Sequence, residues 1–101
     1  WTRMGRIVHI VGFLSINTIG TGSTSIISGL PYTSANIGVD QALHVGDFSS
    51  LATSVVWIGA RVNTNSTTIT LRNLTAAGAS ATSSALLGNG SIVSISGSYI
   101  L

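Results

Sequence analysis

Apolar and polar positions that alternate with a period of two have the spacing of a strand with one face covered. Residues 67–74 show it plainly: Ile69 and Leu71 fall on one side, Thr68, Thr70 and Arg72 on the other. Residues 6–16, RIVHIVGFLSI, do not alternate. Read as a strand, their odd positions give Ile7, His9, Val11, Phe13 and Ser15. The even positions give Arg6, Val8, Ile10, Gly12, Leu14 and Ile16. Both faces are apolar, which predicts a strand covered on both sides. A helix fits less well. The pairs Ile7-Val8, Ile10-Val11 and Phe13-Leu14 spread round a helical wheel without forming a stripe. Most of the apolar residues are β-branched and Gly12 sits among them, and both features disfavour helix.

Further strands are predicted at 25–28, 42–48, 54–62, 67–74 and 91–101, set apart by Gly, Asn and Ser. The strand at 42–48 reads as an edge, and Gly97 marks a bend or bulge in the last one. Residues 75–90 are mostly small and read as a long loop, with one helical turn at 84–87. Strands at this spacing, with almost no helical periodicity, predict an all-β sandwich or small barrel. The length, the even composition and the absence of an internal repeat predict one domain over residues 1–101.

Composition narrows the partners. Of 101 residues, 45% are hydrophobic and only 6% charged, where soluble domains carry about a quarter. The charges are Arg3, Arg6, Arg61 and Arg72 against Asp40 and Asp47, with no lysine and no glutamate. The net charge of +2 is scattered. Nucleic acid needs a basic patch or stripe, so no nucleic-acid partner is expected. Without cysteine there is no disulfide or thiolate metal site. The longest mostly apolar run, about ten residues including His9, is too short for a membrane-spanning helix, and no membrane insertion is expected. Trp1 in place of an initiating methionine suggests a piece of a longer polypeptide.

Candidate chemistry is sparse. His44, Asp47 and Ser49 lie close together, but strict alternation puts His44 on the face opposite the other two, and no G-x-S-x-G elbow is present. Asp40 and Asp47 are the only acids and nothing in their spacing pairs them for glycoside cleavage. His9 and His44 lack ligand spacing. The chain is therefore read as a non-enzyme without cofactor or metal. Sugar binding needs an aromatic face and polar groups beside it. Trp57 shares a strand face with Val55, Gly59 and Arg61; Gly59 leaves room beside the indole and Arg61 suits an acidic sugar. The plainer reading makes Trp57 core and Arg61 a strand-end charge. Tyr32 follows Pro31 in a loop and is expected to be exposed. Tyr32, Trp57 and Arg61 are the glycan-binding candidates.

Segments at both ends carry a family resemblance. Trp1-Thr2-Arg3-Met4-Gly5-Arg6-Ile7-Val8-His9-Ile10-Val11-Gly12 resembles the "aromatic-T-[KR]-hydrophobic-G-x-hydrophobic-V-x-hydrophobic-x-G" opening of C-terminal domains in bacteriophage tail fibres and tailspikes. Ile26-Ile27-Ser28-Gly29-Leu30-Pro31-Tyr32 is similar to their "I-x-GLP-[FY]" segment, and Ser96-Gly97-Ser98-Tyr99-Ile100-Leu101 to their closing "SG-x-Y-hydrophobic" strand. Trp1 departs from the commoner tyrosine, and residues 36–87 match no motif. The resemblance implies an antiparallel, jelly-roll-like β-sandwich at the distal end of a homotrimeric fibre or spike. It implies trimer assembly and contact with bacterial cell-surface polysaccharide. It also implies a place in the phage tail, extracellular on release. The two-faced strand then supplies the trimer contact, through Ile7, Val11 and Phe13 or through Val8, Ile10 and Leu14. The alternative is a monomeric carbohydrate-binding module of a secreted polysaccharide-degrading enzyme.

Overall fold

The computed structural model describes residues 1–18, 26–52, 55–74, 78 and 86–101. These contain strands and no helix: β1 Thr2–Met4, β2 Ile7–Ser15, β3 Ile26–Ser28, β4 Gln41–Ser49, β5 Trp57–Val62, β6 Thr68–Leu74 and β7 Ile92–Ile100. They form one sheet in the order β1-β2-β7-β4-β5-β6-β3. All neighbours are antiparallel, and the sheet curls into a half-barrel. The hollow holds the core: Val8 and Ile10 from β2, Val93, Ile95 and Tyr99 from β7, Val45 from β4, and Ile58, Val62, Ile69 and Leu71 from β5 and β6.

The two-faced strand is β2, flanked by β1 on one side and β7 on the other. Its even residues, Val8, Ile10 and Leu14, turn into the hollow, while Ile7, Val11 and Phe13 turn outward and stay exposed. β1 escaped the sequence reading because three residues carry no period. It is set by a two-residue hairpin loop in which Gly5, at φ 60°, supplies the positive φ such a loop needs. β4 was expected at an edge but lies between β7 and β5. Strand order depends on long-range pairing, which alternation does not encode.

β4 also carries a bulge between Val45 and Asp47, centred on Gly46. The extra residue resets the alternation. Leu43 and Val45 point inward before it and Phe48 after it. The expectation that His44 opposes Asp47 and Ser49 is therefore corrected. His44 pairs with Ser96, Asp47 with Ser94 and Ser49 with Ile92, so all three share the outer face.

β4 leaves β7 at Gly97. Residues 44–49 pair with β7, and Gln41, Ala42 and Leu43 pair with β5. Gly97 sits at φ 151°, and a Cβ there would lie 2.8 Å from Leu43 Cδ2. The ladder is finished by a side chain: Gln41 Nε2 donates to the Ile100 carbonyl (3.2 Å), and the Ile100 N–H donates to Gln41 Oε1 (2.7 Å).

Hydroxyls and amides do the work that charges do elsewhere. The β5–β6 turn is tied to residues 34–40 by a polar cluster. The Ser34 hydroxyl donates to the Asn63 carbonyl. Asn63 Nδ2 donates to Thr68 Oγ1 (2.8 Å) and Thr70 Oγ1 donates to Asn63 Oδ1 (3.0 Å). The Thr64 N–H donates to Asp40 Oδ1 (3.0 Å). The predicted helical turn at 84–87 falls partly outside the described residues; its described members, Leu86 and Leu87, are buried in the core.

Candidate functional site

Directly paired residues share a face, so the registers map the outside of the sheet residue by residue. On the β1-β2-β7-β4 side the rows are Met4–Ile7–Ile100, Thr2–His9–Ser98, Val11–Ser96–His44, Phe13–Ser94–Asp47 and Ser15–Ile92–Ser49. The β2 column is apolar and the β7 column beside it is largely serine. Met4 is 77% exposed, Val11 76%, Phe13 69%, Ile7 51% and Ile100 45%. These large apolar residues are open to solvent and lined up on one face of the sheet. His9 sits among them, its Nδ1 3.1 Å from Ser98 Oγ. No hydrogen bond joins the side chains of His44, Asp47 and Ser49, which lie in a line along β4.

Of the interface candidates, Val8, Ile10 and Leu14 are occupied by the chain's own core or pack against it. Ile7, Val11 and Phe13 are the members that a partner can reach.

The outside of β5 and β6 differs. Ile58, Ala60 and Val62 point inward, leaving Trp57, Gly59 and Arg61 outward. Their partners across the ladder are Leu74, Arg72 and Thr70. Trp57 is 47% exposed and rests edge-on against Phe48, with ring centroids 6.0 Å apart and planes at 82°. A Cβ on Gly59 would meet no atom within 4 Å. The result is a depression of about 260 Å³ lined by Trp57, Gly59, Ala60, Arg72, Asn73 and Leu74.

The three glycan-binding candidates are not brought together. Arg61 is engaged by Asp40, Nη1 to Oδ2 at 3.0 Å, so its charge is already matched. Tyr32 is half-buried. Trp1 meets its ring edge-on at 5.2 Å, the Arg3 guanidinium lies 4.8 Å over the ring centroid, and its peptide is held by Tyr99. The Tyr99 hydroxyl donates to the Tyr32 carbonyl (2.9 Å) and accepts from the Tyr32 N–H (3.3 Å). Burial pushes the Tyr99 phenol above its ordinary value, against the lowering effect of the hydrogen bond it accepts from the Tyr32 N–H. Trp57 is the one of the three with an open cavity beside it. Arg72 was missed. It faced Gly59 only once the β5–β6 register was known, although it already stood on the polar side of its own strand.

Among the described residues no group of three or more His, Asp or Glu side chains is placed to hold a metal ion. Comparison with models of known protein families, with curated proteins and with solved structures finds no match.

Proposed function

We propose that this chain is an assembly and recognition module of the tail fibre or tailspike kind. Three copies dock through the outer face of β1, β2 and β7, and the outer face of β5 and β6 contacts host-surface glycan. The observation that carries the reading is the exposed column of Ile7, Val11 and Phe13, extended by Met4 and Ile100. Burying side chains of this size is worth on the order of 1–2 kcal/mol each. A charge-poor face gives an oppositely charged partner nothing to recognise, and suits a second copy of itself. The serine column supplies a polar margin for hydrogen bonds at the rim. The β-sandwich expected from the resemblance draws support from the core, where side chains of the β2–β7 side meet those of the β5–β6 side across the hollow.

Light scattering tests the reading. Assembly gives about three times the 10.3 kDa of one chain. Val11→Ser with Phe13→Ser returns it to one chain without loss of fold. A stable monomer that still binds glycan through Trp57 would instead select the carbohydrate-binding module of a secreted enzyme.

A further inference from the structure

We propose that the open seam between β2 and β3 takes up one extended, uncharged peptide segment as an added strand on the free edge of β2. β1 pairs with β2 only over Ile7, Val8 and His9. Ile10 to Ser15 continue the strand with β7 on one side and, among the described residues, no strand on the other. The pairing sets the direction of each backbone group. Ile7 closes the hairpin with Met4, so odd residues of β2 turn their N–H and C=O toward β1. Even residues turn theirs toward β7: the Leu101 N–H donates to the Arg6 carbonyl (2.8 Å), and the Ile16 N–H donates to the Ser91 carbonyl (2.9 Å). Past the end of β1, Val11, Phe13 and Ser15 therefore aim donors and acceptors out of the sheet edge, where another strand would lie.

Beside this edge the hollow opens in a cleft of about 260 Å³. β2 forms one wall and residues 27–31 the other, with Ile69, Val93 and Ile95 as the floor. Gly12 makes the room. It holds the inward position between Ile10 and Leu14, and a Cβ there would meet only the Ile95 carbonyl oxygen, at 4.0 Å. A benzene-sized group fits in about 150 Å³, so the cleft takes roughly two apolar side chains. On a strand these come from alternate residues, about 7 Å apart.

Together the edge and the cleft select the occupant. A lipid or other apolar molecule would strip water from the Val11 and Phe13 backbone groups and offer no hydrogen bonds in return. A peptide strand satisfies those groups and seats alternate side chains in the cleft. A second copy cannot offer such a strand from its intact sheet, because the next strand of that sheet would meet the wall formed by residues 27–31. None of the described residues lining the cleft is charged, so the segment is uncharged where it pairs. The proposal uses the edge of β2 and not its outer face, so it stands or falls apart from the assembly proposed above.

Amide hydrogen exchange and NMR titration on the full chain test this. The probe is a capped peptide of alternating valine and threonine with one lysine at each end for solubility. Its control is the same peptide N-methylated at every valine and threonine. In the free chain the Val11, Phe13 and Ser15 amides are expected to exchange at least tenfold faster than those of Gly12 and Leu14. The peptide is expected to slow the three odd amides at least tenfold and to leave the even ones unchanged. The methylated peptide, apolar but without donors, is expected to bind at least tenfold more weakly. Gly12→Val is expected to abolish binding with the unfolding midpoint held or raised, since the position is open and needs no positive φ. Val11 and Phe13 amides as protected as Gly12 and Leu14 in the free chain would mean that the edge is already paired, by the chain itself or by a second copy, and would overturn the inference. So would equal binding of the methylated peptide, retained binding in Gly12→Val, or no binding at millimolar peptide.

Discussion

Gly97→Ala puts the curl of the sheet to a quantitative test. At φ 151° Gly97 occupies backbone space that side-chain-bearing residues rarely enter. Holding alanine there costs about 1–3 kcal/mol. The added methyl would also stand 2.8 Å from Leu43 Cδ2 and 3.4 Å from Leu43 Cα. The Cδ2 contact must be relieved by a shift of the Leu43 side chain, while 3.4 Å to Cα is ordinary contact. Displacing the buried Leu43 side chain from its rotamer costs about 1 kcal/mol more. The sum, about 2–4 kcal/mol, is a large part of the stability of a domain this size. Thermal unfolding should therefore fall by on the order of 10 °C or more. Urea denaturation at fixed protein concentration measures the loss directly, and Gly59→Ala is the control. With open space and no positive φ, the control should be neutral or gain up to about 1 kcal/mol. The double variant Leu43→Ala/Gly97→Ala should recover the packing part and not the backbone part. If Gly97→Ala unfolds within about 0.5 kcal/mol of the unaltered chain, β4 does not leave β7 because of that glycine, and the reasoning fails.

Three further outcomes follow from polar groups. Asn73 is buried with its Oδ1 unpartnered, so Asn73→Leu should raise stability by about 1 kcal/mol in urea titrations, where a satisfied amide would give a loss. Asp40→Ala removes the acceptor for both Arg61 and the Thr64 N–H and should lower stability by about 1 kcal/mol, with no dependence on Gly59 substitutions. The raised Tyr99 phenol makes the folded state hold its proton after the unfolded chain has lost it. That stability is complete below pH 10, the ordinary tyrosine value, and falls as pH rises through the higher folded value. Tyr99→Phe should cost about 1–2 kcal/mol at neutral pH and flatten the alkaline decline, which unfolding curves between pH 9 and 12 would show.

The strands were legible where alternation was clean. β6 and β7 appear close to where their periods put them, and β2 was marked by the very absence of alternation. What the sequence withheld was pairing. Residues 42–48 read as an edge, yet β4 is a central strand; His44 and Asp47 belong to its outer face, and only the Gly46 bulge puts them there together. Leu86 and Leu87 sit in a run of small residues with no strand period, so their burial could not be read from neighbours. At the candidate site Trp57 and Gly59 were visible as an i, i+2 pair. Arg72 was not, because it comes from another strand and only register sets it opposite Gly59. Tyr32 fails as a free ring for the same reason: Trp1, Arg3 and Tyr99 reach it from far along the chain.

The pairing of β2 with β7 joins two long strands from opposite ends of the described order. Its register runs from Ile7 with Ile100 to Ser15 with Ile92, and the Leu101 N–H donates to the Arg6 carbonyl (2.8 Å) beyond it. A ribosome delivers β2 early and β7 late. For the whole interval of synthesis, a strand that is apolar on both faces waits with one edge unsatisfied. Loop closure over nearly the full chain makes the step slow. Until β7 has emerged, β2 is thus open to mispairing.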